Sequence, residues 1–407
     1  MKLLLITQVF YPDTVSVSQH LWDLAEHLQN NGHEISVFTS KYPYEEKNTK
    51  YSDFEVINGI KIYRISQSKL GKGNPFFRII DFFTFSFNIG IKLLFVKKNK
   101  YDVILGTTVP PLLSFLGVVI SKFNKIPFYY WVMDLQPELS IASHLIKKDS
   151  LAAKFFTTIG NYSIKESKKI ISLDKFMTEY LIGRGAEKKD VFTIPVWPVI
   201  DKIYEGKRNE NPFRIENDFG DKIVIMYSGN HAYVHPLDTL LNVTKLLEND
   251  NRFLFVFVGG GVRKKDVSDF KFNNKLENII QLPFQPRENI HNSLGASDVQ
   301  VVIMGNNQVG FTHPNKIYGA MFVGKPILYI GPKQSHVTEI ISDLDGNIMA
   351  DHNDENTIVN GLLEFANLND TQKEEIGLNN LKYVNDNFSP TILKNKMLEA
   401  IVNLFKL

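Results

Sequence analysis

Short runs of aliphatic and β-branched residues alternate with segments of helical period almost from end to end of this chain, and that alternation restricts its fold more than any other feature. The runs that read as strands are Lys2–Gln8, Glu34–Ser40, Tyr101–Leu105, Pro127–Met133, Lys169–Ser172, Val191–Pro195, Lys222–Tyr227, Phe253–Val258, Ile279–Leu282, Asp298–Ile303, Pro326–Ile330 and Gly346–Ala350. Helical period fills gaps between them, at Ser16–Asn30, Leu151–Glu166, His235–Leu247 and Glu288–Leu294. The runs are apolar at nearly every position rather than at every second one, the pattern of strands covered on both faces. The expectation is an α/β protein with doubly wound parallel sheets.

Two prolines close a strand at Ile194-Pro195-Val196-Trp197-Pro198, a polar stretch follows, and the alternation restarts at Lys222. The 407 residues exceed one compact core, so this seam predicts Rossmann-like domains at 1–196 and 197–388 and a last helix, 389–407, packing back on the first. Ligands of open α/β sheets lie beyond the carboxyl ends of the strands, so a site is expected there, in a cleft between the halves. The absence of cysteine excludes a disulfide framework, thiol catalysis and thiolate metal sites, and fits the cytoplasm. A net charge of +2 argues against generic nucleic-acid binding, which needs a concentrated basic field, and confines any basic function to a local patch. The apolar run after Lys2 is too short for a signal peptide, and no stretch reaches the ~18–20 apolar residues of a membrane span.

Candidate chemistry sits at four junctions. Met226-Tyr227-Ser228-Gly229-Asn230-His231, with His235 and Pro236 close behind, is a strand, a glycine turn and a helix start, where free N–H groups can hold a phosphate. Such turns also occur without any ligand. Gly259-Gly260-Gly261, followed by Arg263 and Lys264, lacks the third glycine of G-x-G-x-x-G, so a nicotinamide dinucleotide is not expected. A diphosphate near these glycines and a solvated helix start are equal alternatives. In Gly310-Phe311-Thr312-His313-Pro314-Asn315-Lys316-Ile317-Tyr318 a polar loop enters a helix with Lys316 in its first turn, against the local field. A bound anion explains that placement; a surface lysine is the alternative. Past a buried strand, Trp131-Val132-Met133-Asp134-Leu135-Gln136-Pro137-Glu138 offers Asp134 and Glu138 to orient a sugar hydroxyl or take a proton, with helix capping as the alternative. No P-loop, H-E-x-x-H, G-x-S-x-G or D-x-D motif is present, and no metal is implied.

The stretch from Lys69 to Lys100 is rich in phenylalanine and cations, with a single acid, Asp81. It fits docking at an anionic membrane surface, or equally a buried helix with solvated basic ends, since Phe82, Phe83, Phe85 and Phe87 spread around the helix.

Together these residues resemble the GT-B glycosyltransferases of family 4 (group 1), bacterial transferases that build lipopolysaccharide, capsule and exopolysaccharide. The likeness spans nearly the whole chain. It rests on Gln8–Asp13, Leu24-Ala25-Glu26-His27-Leu28, Trp131–Pro137, Tyr227–Leu241 and Asn315–Pro326, with Pro314-Asn315-Lys316-Ile317-Tyr318 and its continuation to Gly324-Lys325-Pro326 the most specific. The resemblance implies a nucleotide-sugar donor, UDP-linked, in the C-terminal half and a polyprenyl-diphosphate-linked or oligosaccharide acceptor in the N-terminal half. The family pattern is matched at Gly229, Lys316 and Asp134, so the candidate catalytic residues are Asp134 and Lys316, with Glu138 added from its place just past the strand. The implied donor site takes in Ser228, Gly229, Asn230, His231, His235, Gly259–Gly261, Arg263, Lys264, Pro283, Phe284, Gln285, Gly310, Phe311, Thr312, Asn315 and Tyr318. Val15, Ser16, Ser18, Thr107 and Thr108 form the acceptor side. Departures from the family pattern occur at Asn230 and His235, where an Arg and a Lys are usual, at Phe311 and Gly319, where two Glu are usual, and at Met133, where a His is usual. The implied reaction displaces a nucleoside diphosphate with retention and without metal. A catalytically degenerate nucleotide-binding subunit and a UDP-N-acetylhexosamine 2-epimerase of the same fold are the competing readings.

Overall fold

The computed structural model describes residues 1–43, 50–70, 75–97, 99–200 and 202–402, with 75, 76, 78 and 79 as backbone only. The chain forms two compact units. The first comprises Met1–Val196, Gly310–Thr312 and Thr391–Leu407, and the second Trp197–Val309 and His313–Pro390.

The first unit holds β1 (Lys2–Ile6), β2 (Glu34–Ser40), β3 (Phe54–Ile57), β4 (Ile60–Ile65), β5 (Val103–Thr107), β6 (Phe128–Trp131), β7 (Lys169–Ser172) and β8 (Val191–Thr193). They lie in the order β3-β4-β2-β1-β5-β6-β7-β8, parallel throughout except for β3 against β4. Leu3, Leu4, Leu5 and Ile6 of β1 are wholly buried, as a central strand covered on both faces requires. Sequence reasoning missed β3 and β4. Their turn is Asn58-Gly59, both with positive φ (48° and 81°), the two-residue geometry whose twist matches that of a hairpin. The helix Pro390–Val402 buries Leu393, Met397 and Ile401, and His27 of the helix Ser16–Asn30 meets its Asn395 and Lys394, so it completes the first unit. Residues 403–407 of the expected tail lie outside the described residues.

The second unit holds β9 (Ile223–Asn230), β10 (Phe253–Gly260), β11 (Ile279–Leu282), β12 (Val299–Ile303), β13 (Ile327–Ile330) and β14 (Ile348–Ala350), all parallel, in the order β11-β10-β9-β12-β13-β14. Counted from β9 this is 3-2-1-4-5-6, the dinucleotide-fold order, and its reversal falls between β9 and β12. In the first unit the reversal falls between β1 and β5. Both sheets therefore open a crevice at the carboxyl ends of their central strands. The helix expected from His235 begins only at Asp238, which leaves Pro236 in the turn before it.

Candidate functional site

In the second unit the crevice edge is bare backbone. β9 and β10 run in register to Gly229↔Gly259 and Asn230↔Gly260, and Gly229, Gly259 and Gly261 have φ of +131°, +133° and +132°, a region that side-chain-bearing residues rarely enter. A Cβ at Gly259 would overlap the Gly229 carbonyl oxygen, and one at Gly261 would lie 2.6 Å from the His231 carbonyl oxygen. A Cβ at Gly229 would lie 2.6 Å from Lys316 Cε. Gly229 thus lets Lys316 approach the strand end, while Gly259 and Gly261 let the backbone of the two strand ends close up.

Lys316 opens the helix Lys316–Phe322. Its ammonium donates to Tyr227 Oη at 2.6 Å and lies 3.8 Å from the centroid of that ring. Tyr227 in turn donates to the Asn230 carbonyl at 2.8 Å. Desolvation pushes the Lys316 amine down to about 7, and no carboxylate stands among its partners. A cation held in such a place without a counter-charge is poised for an anion. Tyr227 gets no site role from the sequence, because a tyrosine inside an apolar strand reads as core.

Several residues expected at the donor site are committed elsewhere. His231 is buried with its ring against Tyr227 and Phe257 and its Nδ1 at 3.1 Å from the Gly260 carbonyl, so it pins the glycine turn from within. His235 Nδ1 bonds the Ile303 carbonyl at 2.9 Å across the β9/β12 crevice. Burial first, and then Lys316, push its pKa down to about 3, so it adds no charge. Arg263 clamps Asp238 with two bonds of 3.0 and 3.1 Å and Asp266 with one of 2.6 Å, which satisfies the cation expected on a diphosphate. Tyr318 is wholly buried, its hydroxyl 2.7 Å from Nε2 of both His313 and His336, and offers no surface to a ligand. Gly310, Phe311 and Thr312 belong to the first unit rather than to the one that carries Lys316. There the Phe311 carbonyl accepts from Leu135 N at 2.9 Å, and a Cβ on Gly310 would press on Tyr180.

The rest of the expected set stays near the glycine turn. Ser228 is half-buried on β9, Asn230 and Lys264 are exposed, and Asn315 precedes the Lys316 helix. Phe284 is exposed and stands against Gly259 and Gly260, while Gln285 folds onto the Pro283 carbonyl at 3.0 Å. At Gly319 a Cβ would lie 3.2 Å from Ile200 Cδ1, so the glutamate usual there has no room without movement of Ile200.

The first unit's crevice is lined by hydroxyls. Thr7 and Thr107, buried at the ends of β1 and β5, meet at 3.4 Å, and Thr108 accepts from Asp134 N at 3.4 Å. Ser18 is buried, Val15 half-buried and Ser16 exposed at the start of the first helix. Asp134 is half-buried beside buried Met133. Glu138 opens the helix Glu138–Ala142 but caps nothing; it is paired with Arg184 and accepts from Tyr180 Oη at 2.9 Å. Among the described residues no cluster of His, Cys, Asp and Glu is arranged to hold a metal, and no helix is long and apolar enough to cross a membrane.

Two Rossmann-ordered sheets in one chain are the architecture of the GT-B glycosyltransferases. The chain superposes along its full length on a sucrose-phosphate synthase from Thermosynechococcus elongatus (TM-score 0.78, 14% identity, 99% of that chain). It also superposes on Anabaena Alr3699/HepE in complex with UDP and glucose (TM-score 0.73, 14% identity, 100% of both chains). Residues 17–196 match the description "Glycosyltransferase Family 4" and residues 208–379 match "Glycosyl transferases group 1", so the chain belongs to the family 4, group 1 glycosyltransferases. Among curated relatives it is 21% identical to a "Probable glycosyltransferase WbjE" of Pseudomonas aeruginosa over 61% of this chain and 62% of that one. It is 20% identical to WcaI of Escherichia coli, a glycosyl transferase assigned to colanic acid biosynthesis, over 80% and 82% of the two chains.

Proposed function

We propose that the chain transfers a hexose or N-acetylhexosamine from a UDP-sugar to a lipid-linked or saccharide acceptor in the assembly of a surface polysaccharide, capsule or lipopolysaccharide. The observation that carries this reading is Lys316, desolvated without a carboxylate and set against the positive-φ Gly229 at the end of β9, beside the β9/β12 reversal. A diphosphate supplies the missing anion, and the backbone N–H groups near Gly229 share its charge. Exposed Phe284 offers a ring to the base. Arg263, already paired, holds the turn rather than the ligand. The UDP and glucose named with HepE, and the colanic acid assignment of WcaI, point the same way.

When the glycosyl bond breaks, the charge leaving on the nucleoside diphosphate falls to Lys316 and the strand-end amides, an electrostatic stabilisation of ~3–4 kcal/mol for each well-aimed donor. Metal is not required in this scheme. Asp134, anchored through its N–H on Thr108, orients an acceptor or donor hydroxyl in a retaining transfer. The transferase works at the cytoplasmic face of the membrane, docked through 69–100, of which 71–74 and 98 lie outside the described residues. Calorimetry with UDP, GDP and dTDP on wild type and Lys316→Ala tests the donor site. UDP bound preferentially, and weakened in the variant, supports it; UDP bound equally by both overturns it. Sugar transfer from UDP-sugars to lipid-linked acceptors then separates an enzyme from a degenerate binding subunit.

A further inference from the structure

The helix Pro75–Leu94 is apolar on two opposite sides. Phe85, Ile89 and Leu93 are buried in the first unit. At the same spacing on the other side, Phe83, Phe87, Ile91 and Leu94 are exposed, Phe87 to 69%, and Phe95 just beyond is 80% exposed. The phenylalanines that seemed merely scattered therefore form a core stripe and an outer one. A helix apolar all round is normally enclosed, and here only one side is.

The helix Pro111–Asn124 lies alongside, its Leu116 against Gly90. The two helices finish together, where Asn124 Nδ2 donates to the Leu93 carbonyl at 3.4 Å. At that shared end Phe123 is 75% exposed. Exposed Lys125 follows Phe123 by two residues, and exposed Lys97 and Lys100, the latter against the Tyr63 and Tyr101 rings, follow the end of the first helix. From 75 to 125 the sequence carries seven cations against two acids, in a chain whose whole net charge is +2. Neither acid opposes them: Asp81 is buried, and Asp102 accepts from Lys2 N at 2.6 Å. Lys122 is taken up by Glu166.

We propose that the joined carboxyl-terminal ends of these two helices are a bilayer-docking edge. Phe87, Leu94, Phe95 and Phe123 enter the boundary between headgroups and acyl chains of an anionic leaflet, and Lys97, Lys100 and Lys125 meet its headgroups. A second copy on this face would bring like charges together, whereas a sheet of anionic headgroups complements both the apolar stripe and its basic rim. This deepens the reading of a membrane-apposed transferase and rests on it, and it adds the second helix and the residues responsible.

The test is co-sedimentation of the full chain with vesicles of phosphatidylcholine alone or mixed with phosphatidylglycerol, at low and high salt. Binding to the anionic vesicles only, and loss at high salt, is expected. Lys97→Gln/Lys125→Gln lowers partitioning about thirtyfold. Phe95→Ser/Phe123→Ser lowers it about a hundredfold. UDP calorimetry on both variants, unchanged from wild type, shows that they are folded. Equal binding to both vesicle types, no binding by wild type, or an oligomer that the phenylalanine variant dissolves without any vesicle binding overturns the proposal. Vesicle binding that persists in a protein unable to bind UDP leaves the docking edge standing and overturns the donor reading alone.

Discussion

The two sheets reverse their strand order at equivalent places and finish those crevices with different chemistry. At the carboxyl ends of β9 and its neighbour β10, beside the β9/β12 reversal, the chain has three positive-φ glycines and one desolvated lysine. At the carboxyl ends of β1, β5 and β6 it offers threonine hydroxyls and a half-buried carboxylate, Asp134, with no lysine or arginine among the residues expected there. A buried ammonium with no carboxylate on it suits a polyanion, while hydroxyls beside a carboxylate suit the neutral, hydroxyl-rich surface of a saccharide. In the proposed transfer, one fold serves two ligand chemistries by changing only what stands at the strand tips.

The contrast breaks most directly at Lys316. Lys316→Ala is expected to cost ~3–4 kcal/mol of transition-state stabilisation, several hundredfold in kcat/KM for the donor. If steady-state kinetics show a change confined to acceptor KM, the division of labour is wrong. Gly259→Ala, whose Cβ would overlap the Gly229 carbonyl, should destabilise the second unit by ~2–4 kcal/mol in chemical denaturation. Gly185→Ala is the control, with positive φ but nothing within 4 Å, and should lose only ~1 kcal/mol.

The next effect is on pH. The Lys316 amine, ordinarily near 10.5, sits at about 7 in the unliganded protein, so it is half neutral at pH 7. A diphosphate favours the charged form and raises that value, so binding takes up a proton. UDP affinity should fall as pH rises above 7, by up to about tenfold per unit, until the liganded pKa is reached. Titrations in buffers of different ionisation enthalpy would show the uptake, and Lys316→Ala should abolish it. The smallest effect is expected in the first unit. Thr108→Val removes the acceptor of the Asp134 N–H and should cost ~0.5–1 kcal/mol in acceptor kcat/KM while leaving UDP affinity alone.

The parallel strands were legible because burial on both faces writes itself as unbroken apolar runs, and Lys2–Ile6 or Phe253–Gly260 can be little else. The β3/β4 hairpin escaped because its strands alternate in exposure at a sheet edge, although Asn58-Gly59 announces the turn. At the crevices, the places of Gly229 and Lys316 stand out in local sequence, one by its turn and the other by its position against the helix field. Pairings over distance could not. Arg263 finds Asp238 across 25 residues and Glu138 finds Arg184 across 46, so residues that look available in the sequence are spoken for in the fold. Tyr318 shows the same effect: its place in a polar motif suggests a ligand contact, and the fold buries it completely between two histidines, with an internal partner on each side.

The stacked strand ends at Gly229 and Gly259 also bear on how such a protein can diversify. Where one backbone leans on another with no space for a methyl group, mutation has nothing to explore, and the floor of the crevice is frozen however strongly a new donor is selected for. Variation is left to the walls. Exposed Phe284 and Asn230 can change without disturbing that floor, so a laboratory search for altered nucleotide or sugar preference should gather its gains at those two positions and return the glycines untouched.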